Sequence, residues 1–289
     1  MKPAPFDYVA ARSASEAAAL LAQHGGEARV LAGGQSLVPM LNLRLARPAV
    51  LVDINRATDL DYVREGDGLL AVGAIARQRT LERWALGRAP LIGEVLRWVG
   101  HAAIRNRGTV AGSIAHGDPA SELPALLLCL DGSVVARRDS RERIVSADGL
   151  YLAPLTTSLE PDELLTEVRF QLPPPEAGWG FAEVARRHGD FALAGAMATL
   201  WRDAEGRVAS ARLALFGVGG TPVRGKAAEA VLSGQWPSAA KLGEAARAAA
   251  ADLAPDDDLH ATADYRRRVA AVLAERTLTA ALERSRSDR

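Results

Sequence analysis

Two glycine-punctuated stretches decide how this chain is read: Leu31-Ala-Gly-Gly-Gln-Ser-Leu-Val-Pro39 and Ala103-Ile-Arg-Asn-Arg-Gly-Thr-Val-Ala-Gly-Ser-Ile-Ala-His-Gly-Asp-Pro-Ala-Ser-Glu-Leu-Pro124. In the first, a short apolar strand delivers the chain to Gly33 and Gly34, then to Gln35 and Ser36. Paired glycines let the backbone curl with successive N–H groups pointing inward, a nest for a phosphate to which Ser36 adds a hydroxyl. The same residues also suit a plain tight turn in which Ser36 is only a helix N-cap. In the second stretch, small residues together with Thr109 and Ser113 allow close backbone approach to an anion. Arg105 and Arg107 bring positive charge, and Asp118 and Glu122 are acceptors suited to ribose hydroxyls or ring N–H groups. The span from Arg105 to Pro119 is expected to be a polar loop. Loops of that length inside compact domains are usually functional, although a plain surface loop is the other reading.

Working outward, Phe6–Val9 reads as a strand, and Ser13 with Glu16 has capping-box spacing before a helix over Ala14–His24, which Gly25-Gly26 ends. Strands are expected at Arg29–Ala32 and Val50–Asp53, with a hairpin of Tyr62–Arg64 and Leu69–Gly73 across Gly66-Asp67-Gly68. Helices follow at Thr80–Ala85, Leu91–Val99 and Ser121–Leu130, then strands at Ser133–Arg137 and Leu164–Leu172. Pro173-Pro-Pro175 removes three consecutive backbone donors and marks a domain boundary. Beyond it lie strands at Phe181–Ala185, Ala194–Arg202 and Val208–Phe216, with helices at Ala227–Leu232, Ala239–Leu253 and Thr262–Arg284. Strands and helices mix without regular βαβ alternation, which favours an α+β fold.

Composition narrows the function. The chain has 289 residues, 48% of them apolar, enough for a sizeable core. Thirty-five basic residues balance thirty-five acidic ones, so no global field attracts nucleic acid or an anionic membrane. Leu123–Leu130 is the longest strongly apolar run, far short of the roughly 20 residues of a membrane span. The N-terminus has no apolar core of a secretory signal, so a soluble, cytoplasmic protein is expected. The lone Cys129 excludes a disulfide framework, a cysteine zinc site and a self-contained iron–sulfur cluster. His24, His101, His116, His188 and His260 form no metal-ligand pair on one helix face. Gly217-Val-Gly-Gly-Thr-Pro222 fails the dinucleotide fingerprint, because proline replaces its last glycine. Gly34-Gln-Ser-Leu-Val38 likewise fails as a hydrolase elbow.

The two loops, taken with Phe6-Asp-Tyr8 and Ala185-Arg-Arg-His-Gly-Asp-Phe-Ala192, resemble the FAD-binding medium subunit of the molybdenum hydroxylases, the xanthine dehydrogenase and aerobic carbon monoxide dehydrogenase group. The likeness runs from Phe6 to the C-terminal helices. It implies a two-part FAD-binding domain of the PCMH/vanillyl-alcohol-oxidase type over 1–173 (parts 1–55 and 56–173). A smaller α+β domain, an antiparallel sheet plus a helix bundle, would occupy 177–289. By this resemblance Ala32, Gly33, Gly34, Gln35 and Ser36, flanked by Val30, Leu31 and Leu37, wrap the FAD pyrophosphate. Thr109, Gly112 and Ser113 close on it from the other side, with Ile104 and Asp118 in the same loop. Glu122 and the backbone near Leu165 contact the cofactor, and Phe191 stands beside the isoalloxazine. His116 lies between these positions, where a cofactor contact and a simple loop hydrogen bond are both open. Some relatives carry a lysine just before the arginine pair where Ala182 and Glu183 stand here, which puts a positive charge from that segment in doubt.

The implied function is electron transfer. FAD in this chain would take electrons from 2Fe-2S clusters of a small iron–sulfur subunit and pass them to an external acceptor. Substrate would be hydroxylated on a large molybdopterin subunit, the whole forming a dimer of heterotrimers. No catalytic acid or base is then required in this chain. A self-contained flavin oxidase is the alternative, but the region after Pro175 shows no His or Tyr constellation for it. A scaffold that has lost FAD is the other competitor, and the intact glycine loops speak against it.

Overall fold

The computed structural model describes residues 2–285. The chain begins with β1 (Asp7–Ala10), α1 (Ala14–His24), β2 (Ala28–Leu31), α2 (Leu37–Asn42) and β3 (Val50–Asp53). These strands form a parallel sheet in the order β1-β3-β2. The central strand is the apolar one: Val50, Leu51 and Val52 are all buried, as a parallel strand between two neighbours requires. Ser13 caps α1 by accepting from the Glu16 amide, and Ala14, Ala17, Ala18 and Leu21 form its buried face.

A second unit follows, with β4 (Val63–Gly66), β5 (Leu69–Gly73), α3 (Gln78–Ala85), α4 (Pro90–Trp98), α5 (Ala102–Arg107), α6 (Val110–His116) and α7 (Glu122–Cys129). Then come β6 (Ser133–Arg138), β7 (Arg141–Ser146), the short β8 (Tyr151–Ala153) and β9 (Thr156–Thr157), and β10 (Leu164–Gln171). Five of these strands make a sheet in the order β4-β5-β10-β6-β7, antiparallel throughout. The hairpin between β4 and β5 turns through Asp67 (φ 52°) and Gly68 (φ 72°), the paired positive φ values that match strand twist. Among the described residues no helix is long and apolar enough to cross a membrane.

The remainder comprises β11 (Gly178–Val184), β12 (Ala194–Arg202), β13 (Val208–Phe216), β14 (Val223–Arg224), α8 (Lys226–Leu232), α9 (Ala239–Ala251) and α10 (Ala263–Arg284). The four strands form an antiparallel sheet in sequence order. One face packs on α8–α10 through Ala196, Ala198, Leu213 and Leu215. The other is continuous with the core of the preceding unit through Met197, Ala214 and Phe216. The mixed architecture expected from the sequence is thus present.

Two expectations are corrected. Arg105–Pro119 is not an extended polar loop but α5 and α6, joined at Gly108-Thr109 and ended by Gly117 in the left-handed conformation. Thr109 caps α6 by accepting from the Gly112 amide, and Val110, Ala111 and Ile114 are buried. The polar composition conceals a helix of about two turns whose buried face is only Val110, Ala111 and Ile114. Strands β7, β8 and β9 also went unexpected. Strand β7 is largely exposed at a sheet edge, and β8 and β9 are a short separate pair of three and two residues, so no alternating apolar pattern announces them.

Charges and aromatics close the seam between the last sheet and what precedes it. Asp131 pairs with both Arg212 and Arg224, and Arg224 also binds Glu229 at 2.9 Å. Phe181 lies 5.8 Å from Trp98 and 6.2 Å from Phe216 between ring centroids. Gly195 admits that packing: a Cβ there would stand 2.1 Å from the Phe216 ring. Gly195→Ala is therefore expected to destabilise the protein by about 1–3 kcal/mol through overpacking. Gly66→Ala, where a Cβ meets nothing within 4 Å, should stay close to wild type. Denaturant titration of the two variants checks this.

Candidate functional site

Strand β2 ends at Leu31, and the chain then passes through Ala32, Gly33 and Gly34 (φ +73°) before α2 begins. Among the described residues, the amides of Gly33, Gly34, Gln35 and Ser36 make no hydrogen bond, while their segment is held by the Val38 amide donating to the Gly34 carbonyl. Ser36 precedes α2 but makes no side-chain cap bond. The tight-turn reading is therefore incomplete: four consecutive donors are left over.

Gly33 lies against the second stretch. A Cβ on it would stand 2.5 Å from the Arg107 carbonyl oxygen and 2.7 Å from Gly108 Cα. A Cβ on Gly112 would stand 2.6 Å from Thr109 Oγ1 and 3.9 Å from the Ala32 Cβ. The two glycine stretches, some seventy positions apart in sequence, thus meet backbone to backbone.

Arg77 fastens them. Its guanidinium donates to the Arg107 carbonyl at 2.7 Å and to Asn55 Oδ1 at 2.6 Å. Asn55 Nδ2 donates in turn to the Ala32 carbonyl at 2.8 Å and to Asp53 Oδ1 at 2.6 Å. Asp53 also accepts from the Tyr8 hydroxyl at 2.5 Å. Burial works to raise the Asp53 carboxyl, but the bonds from Tyr8 and Asn55 outweigh it and hold the group below its ordinary value. Burial and the neighbouring Arg107 lower Arg77, which as a guanidinium still keeps its charge. Gln78 completes the clasp, its amide donating to the Gly108 carbonyl at 2.9 Å.

A cleft of about 390 Å³ opens beside this clasp, lined by Leu31, Ala32, Gly33, Gly34, Gln35, Val38, Pro39, Asp53, Asn55 and Arg107. Of the residues expected from the sequence, Leu31–Gln35 line it. Thr109 abuts its Gly33 wall, and Gly112 lies behind Ala32. Val30 belongs to β2, and Ser36 and Leu37 stand at the entrance to α2. Ser113 lies on α6, where its hydroxyl is 3.3 Å from that of Ser121. His116 ends α6, and Asp118 accepts from the Ala120 amide in the turn that follows. Glu122 is buried at the start of α7. Ile104 is partly exposed on α5, Leu165 is buried at a bulge in β10, and Phe191 is 59% exposed. These last positions lie outside the cleft lining.

Arg105 and Arg107, grouped together by sequence, part company. Arg105 is buried, binds Glu82 at 2.9 Å and donates to the Val99 and Gly100 carbonyls. It supports the α3–α5 packing, and only Arg107 faces the cleft. The sequence reading missed Asn55 and Arg77 altogether. Single polar residues just after a strand and just before a helix carry no motif, and only the fold brings them to the loops.

This arrangement can bind an anion tightly at a phosphate nest beside an arginine. Gly33, Gly34 and Gly112 clear the space in which the backbone approaches it, so the residues fit the pyrophosphate of a dinucleotide. Among the described residues no cluster of His, Cys, Asp and Glu is arranged to hold a metal ion.

The fold and cleft define a protein that binds a phosphate-bearing cofactor between two glycine loops, and comparison with known proteins specifies which class it belongs to. Residues 4–174 match the family model of the FAD binding domain in molybdopterin dehydrogenase, and residues 179–281 match the CO dehydrogenase flavoprotein C-terminal domain. It is 41% identical to the 6-hydroxypseudooxynicotine dehydrogenase complex subunit alpha of Paenarthrobacter nicotinovorans, over 99% of this chain and 97% of the relative. It is 38% identical to the caffeine dehydrogenase subunit beta of a Pseudomonas species, over 98% and 97%. A chain from the solved carbon monoxide dehydrogenase of Hydrogenophaga pseudoflava, in a form lacking the Mo-pyranopterin moiety, superposes with a TM-score of 0.95 at 38% identity, over 99% of this chain and 100% of that one. The protein belongs to the FAD-binding medium-chain family of the molybdenum hydroxylases.

Gly33→Ala is expected to force the Arg107 carbonyl and Gly108 apart. FAD affinity should fall about tenfold or more, equivalent to about 1.4 kcal/mol or more. Arg77→Met should weaken binding in the same direction, by freeing the Asn55 and Arg107 carbonyl oxygens of their donor. Flavin fluorescence titration of the purified variants measures both.

Proposed function

We propose that this chain is the flavoprotein relay of a larger complex. Electrons leave 2Fe-2S clusters on a small partner subunit and reach an external acceptor by way of FAD held here, while a large molybdopterin subunit hydroxylates the substrate. Bound FAD supplies the exchange between single electrons and electron pairs. The observation that carries the reading is the meeting of Gly33 with Arg107 and Gly108, which leaves the free amides of Gly33–Ser36 beside a cleft.

In this reading those amides receive the pyrophosphate, with Val30, Leu31, Ala32 and Leu37 shaping the loop around it. Arg107 neutralises its charge, and Arg77 and Asn55 keep the two loops in register. Thr109, Gly112 and Ser113 close the opposite side. Glu122, Asp118, His116, Ile104, Phe191 and the backbone near Leu165 are the positions we assign to the rest of the cofactor.

Cys129 supports the division of labour between chains. It is fully buried, and burial pushes its thiol up to about 12, so it is not a thiolate ligand. A two-iron cluster needs about four such ligands, which therefore belong to another chain. We further propose a cytoplasmic dimer of heterotrimers. The chain itself divides into an FAD-binding domain, 1–173, made of parts 1–55 and 56–173, and a C-terminal domain, 177–289. The two family matches, which end and begin on either side of Pro175, support that division.

Expression of the chain alone and with its partners tests the relay. The isolated chain should bind FAD, contain no iron, and leave its flavin oxidised in the presence of the holoenzyme's substrate. In the assembled complex the same substrate should bleach the flavin absorbance. Substrate oxidation by the isolated chain would refute the relay.

A further inference from the structure

Three arginines stand in a row near the start of α10, and the fold gives them different surroundings. Arg268 is exposed, Arg267 is partly buried and donates to the Leu253 carbonyl at 3.1 Å, and Arg266 is only 7% exposed. A buried guanidinium must find acceptors for its fixed fork of donors, because it keeps its charge at any working pH. Arg266 finds them in two backbone segments of the C-terminal sheet. Its Nη1 donates to the Leu193 carbonyl at 2.7 Å and to the Gly217 carbonyl at 3.0 Å, and its Nη2 binds Asp258 at 2.6 Å. Asp258 belongs to the turn before α10, where its other carboxylate oxygen accepts from the His260 and Ala261 amides at 2.8 and 2.9 Å. Those amides first, and Arg266 after them, pull its carboxyl down to about 2, so the pair stays ionised.

Leu193 and Gly217 flank the paired ends of β12 and β13, where Gly195 opposes Phe216. The backbones touch there: a Cβ on Gly217, at φ +70°, would stand 2.8 Å from the Ala192 carbonyl oxygen and 3.1 Å from that of Leu193. Two carbonyls that converge in a buried place repel each other unless a donor stands between them. Each also lies close to a residue assigned to the cofactor. Phe191 precedes Leu193 by two positions. The Leu193 amide is held by the Val184 carbonyl at 2.7 Å, so Arg266 fixes that residue from its other side. Gly217 donates its amide to the Pro119 carbonyl at 2.8 Å, next to Asp118. Among the described residues no hydrogen bond of Arg266 reaches either glycine loop, whose own clasp is Arg77 and Asn55.

We propose that Arg266 is a positioning residue for the flavin end of the site: without touching the cofactor, it fixes Phe191 and the turn carrying Asp118 through the carbonyls of Leu193 and Gly217. This rests on the FAD reading, in which Phe191 stands beside the isoalloxazine and Asp118 contacts the cofactor. The pyrophosphate end is fixed by Arg77 and the ring end by Arg266, so the two halves of the cofactor depend on different arginines. A ligand that carries only the pyrophosphate half is then indifferent to Arg266.

Titration of the full-length chain, freed of flavin, with FAD and with ADP separates the two ends, because ADP keeps the pyrophosphate and lacks the flavin. Arg266→Met removes the donors and keeps an apolar stem. Its FAD Kd should rise about tenfold, while its ADP Kd stays within about twofold of wild type. The circular dichroism of the bound flavin should change as well, since the ring loses its fixed neighbours. Arg266→Lys, whose ammonium can donate to both carbonyls, should bring the FAD Kd back to within about threefold of wild type. Equal weakening of FAD and ADP marks a merely structural role and overturns the proposal. An Arg266→Met chain with wild-type FAD affinity and flavin dichroism also overturns it. If Arg266→Met does not fold, Asp258→Asn loosens the same guanidinium: its oxygen can still accept the two amides, while its own amide group faces Nη2 donor against donor. That variant should weaken FAD about threefold and leave ADP unchanged, and the absence of this split overturns the proposal. A wild type that binds no FAD overturns the flavin reading itself, and the role of Arg266 falls with it.

Discussion

Gly33 and the Arg107 carbonyl stand so close that a single methyl group between them would collide with backbone on the far side. Everything the molecule can do at its cleft depends on that approach. One loop comes from a small parallel sheet and the other from a run of helices beside an antiparallel sheet. Neither has enough local structure to hold its shape alone. Arg77 and Asn55 supply the constraint by converting two exposed carbonyls, of Ala32 and Arg107, into fixed acceptors of one hydrogen-bonded chain. Both carbonyls are committed to this clasp, while among the described residues the amides of Gly33–Ser36 make no hydrogen bond.

The C-terminal sheet matters to the same end. Its inner face contributes Met197, Ala214 and Phe216 to the core that lies beneath α7, so the helix carrying Glu122 is buried from two sides. The turn before that helix is tied to the same sheet by the Gly217 amide, which donates to the Pro119 carbonyl at 2.8 Å. The Asp131–Arg212–Arg224–Glu229 cluster borders this packing, with each charge matched across the seam or within it. Ion pairs of this kind add register more reliably than stability, since desolvation offsets much of their attraction. The apolar contact between Trp98, Phe181 and Phe216 supplies the driving force.

Much of this could be read in the chain itself. The extents of Ala14–His24, Val50–Asp53, Ala194–Arg202 and Val208–Phe216 followed from caps, glycine stops and apolar runs, because those signals act over one or two turns. The Arg105–Pro119 segment misled, because Thr109 caps a helix whose buried face is only Val110, Ala111 and Ile114, too small to register as a period. Strand β7 was silent for the opposite reason. At the sheet edge one of its six residues is buried, so its composition matches that of a loop.

The sequence by itself determined that two glycine loops exist, that they suit an anion, and that this chain cannot ligate an iron–sulfur cluster through its one cysteine. These are properties of residue type and short spacing. Tertiary structure decided which arginine serves the cleft, sending Arg105 into a buried pair with Glu82 and leaving Arg107 on the wall. It also recruited Arg77 and Asn55 to tie the two loops together. Those outcomes depend on contacts between distant segments, and a pairwise approach in space leaves no trace in the local pattern of either partner.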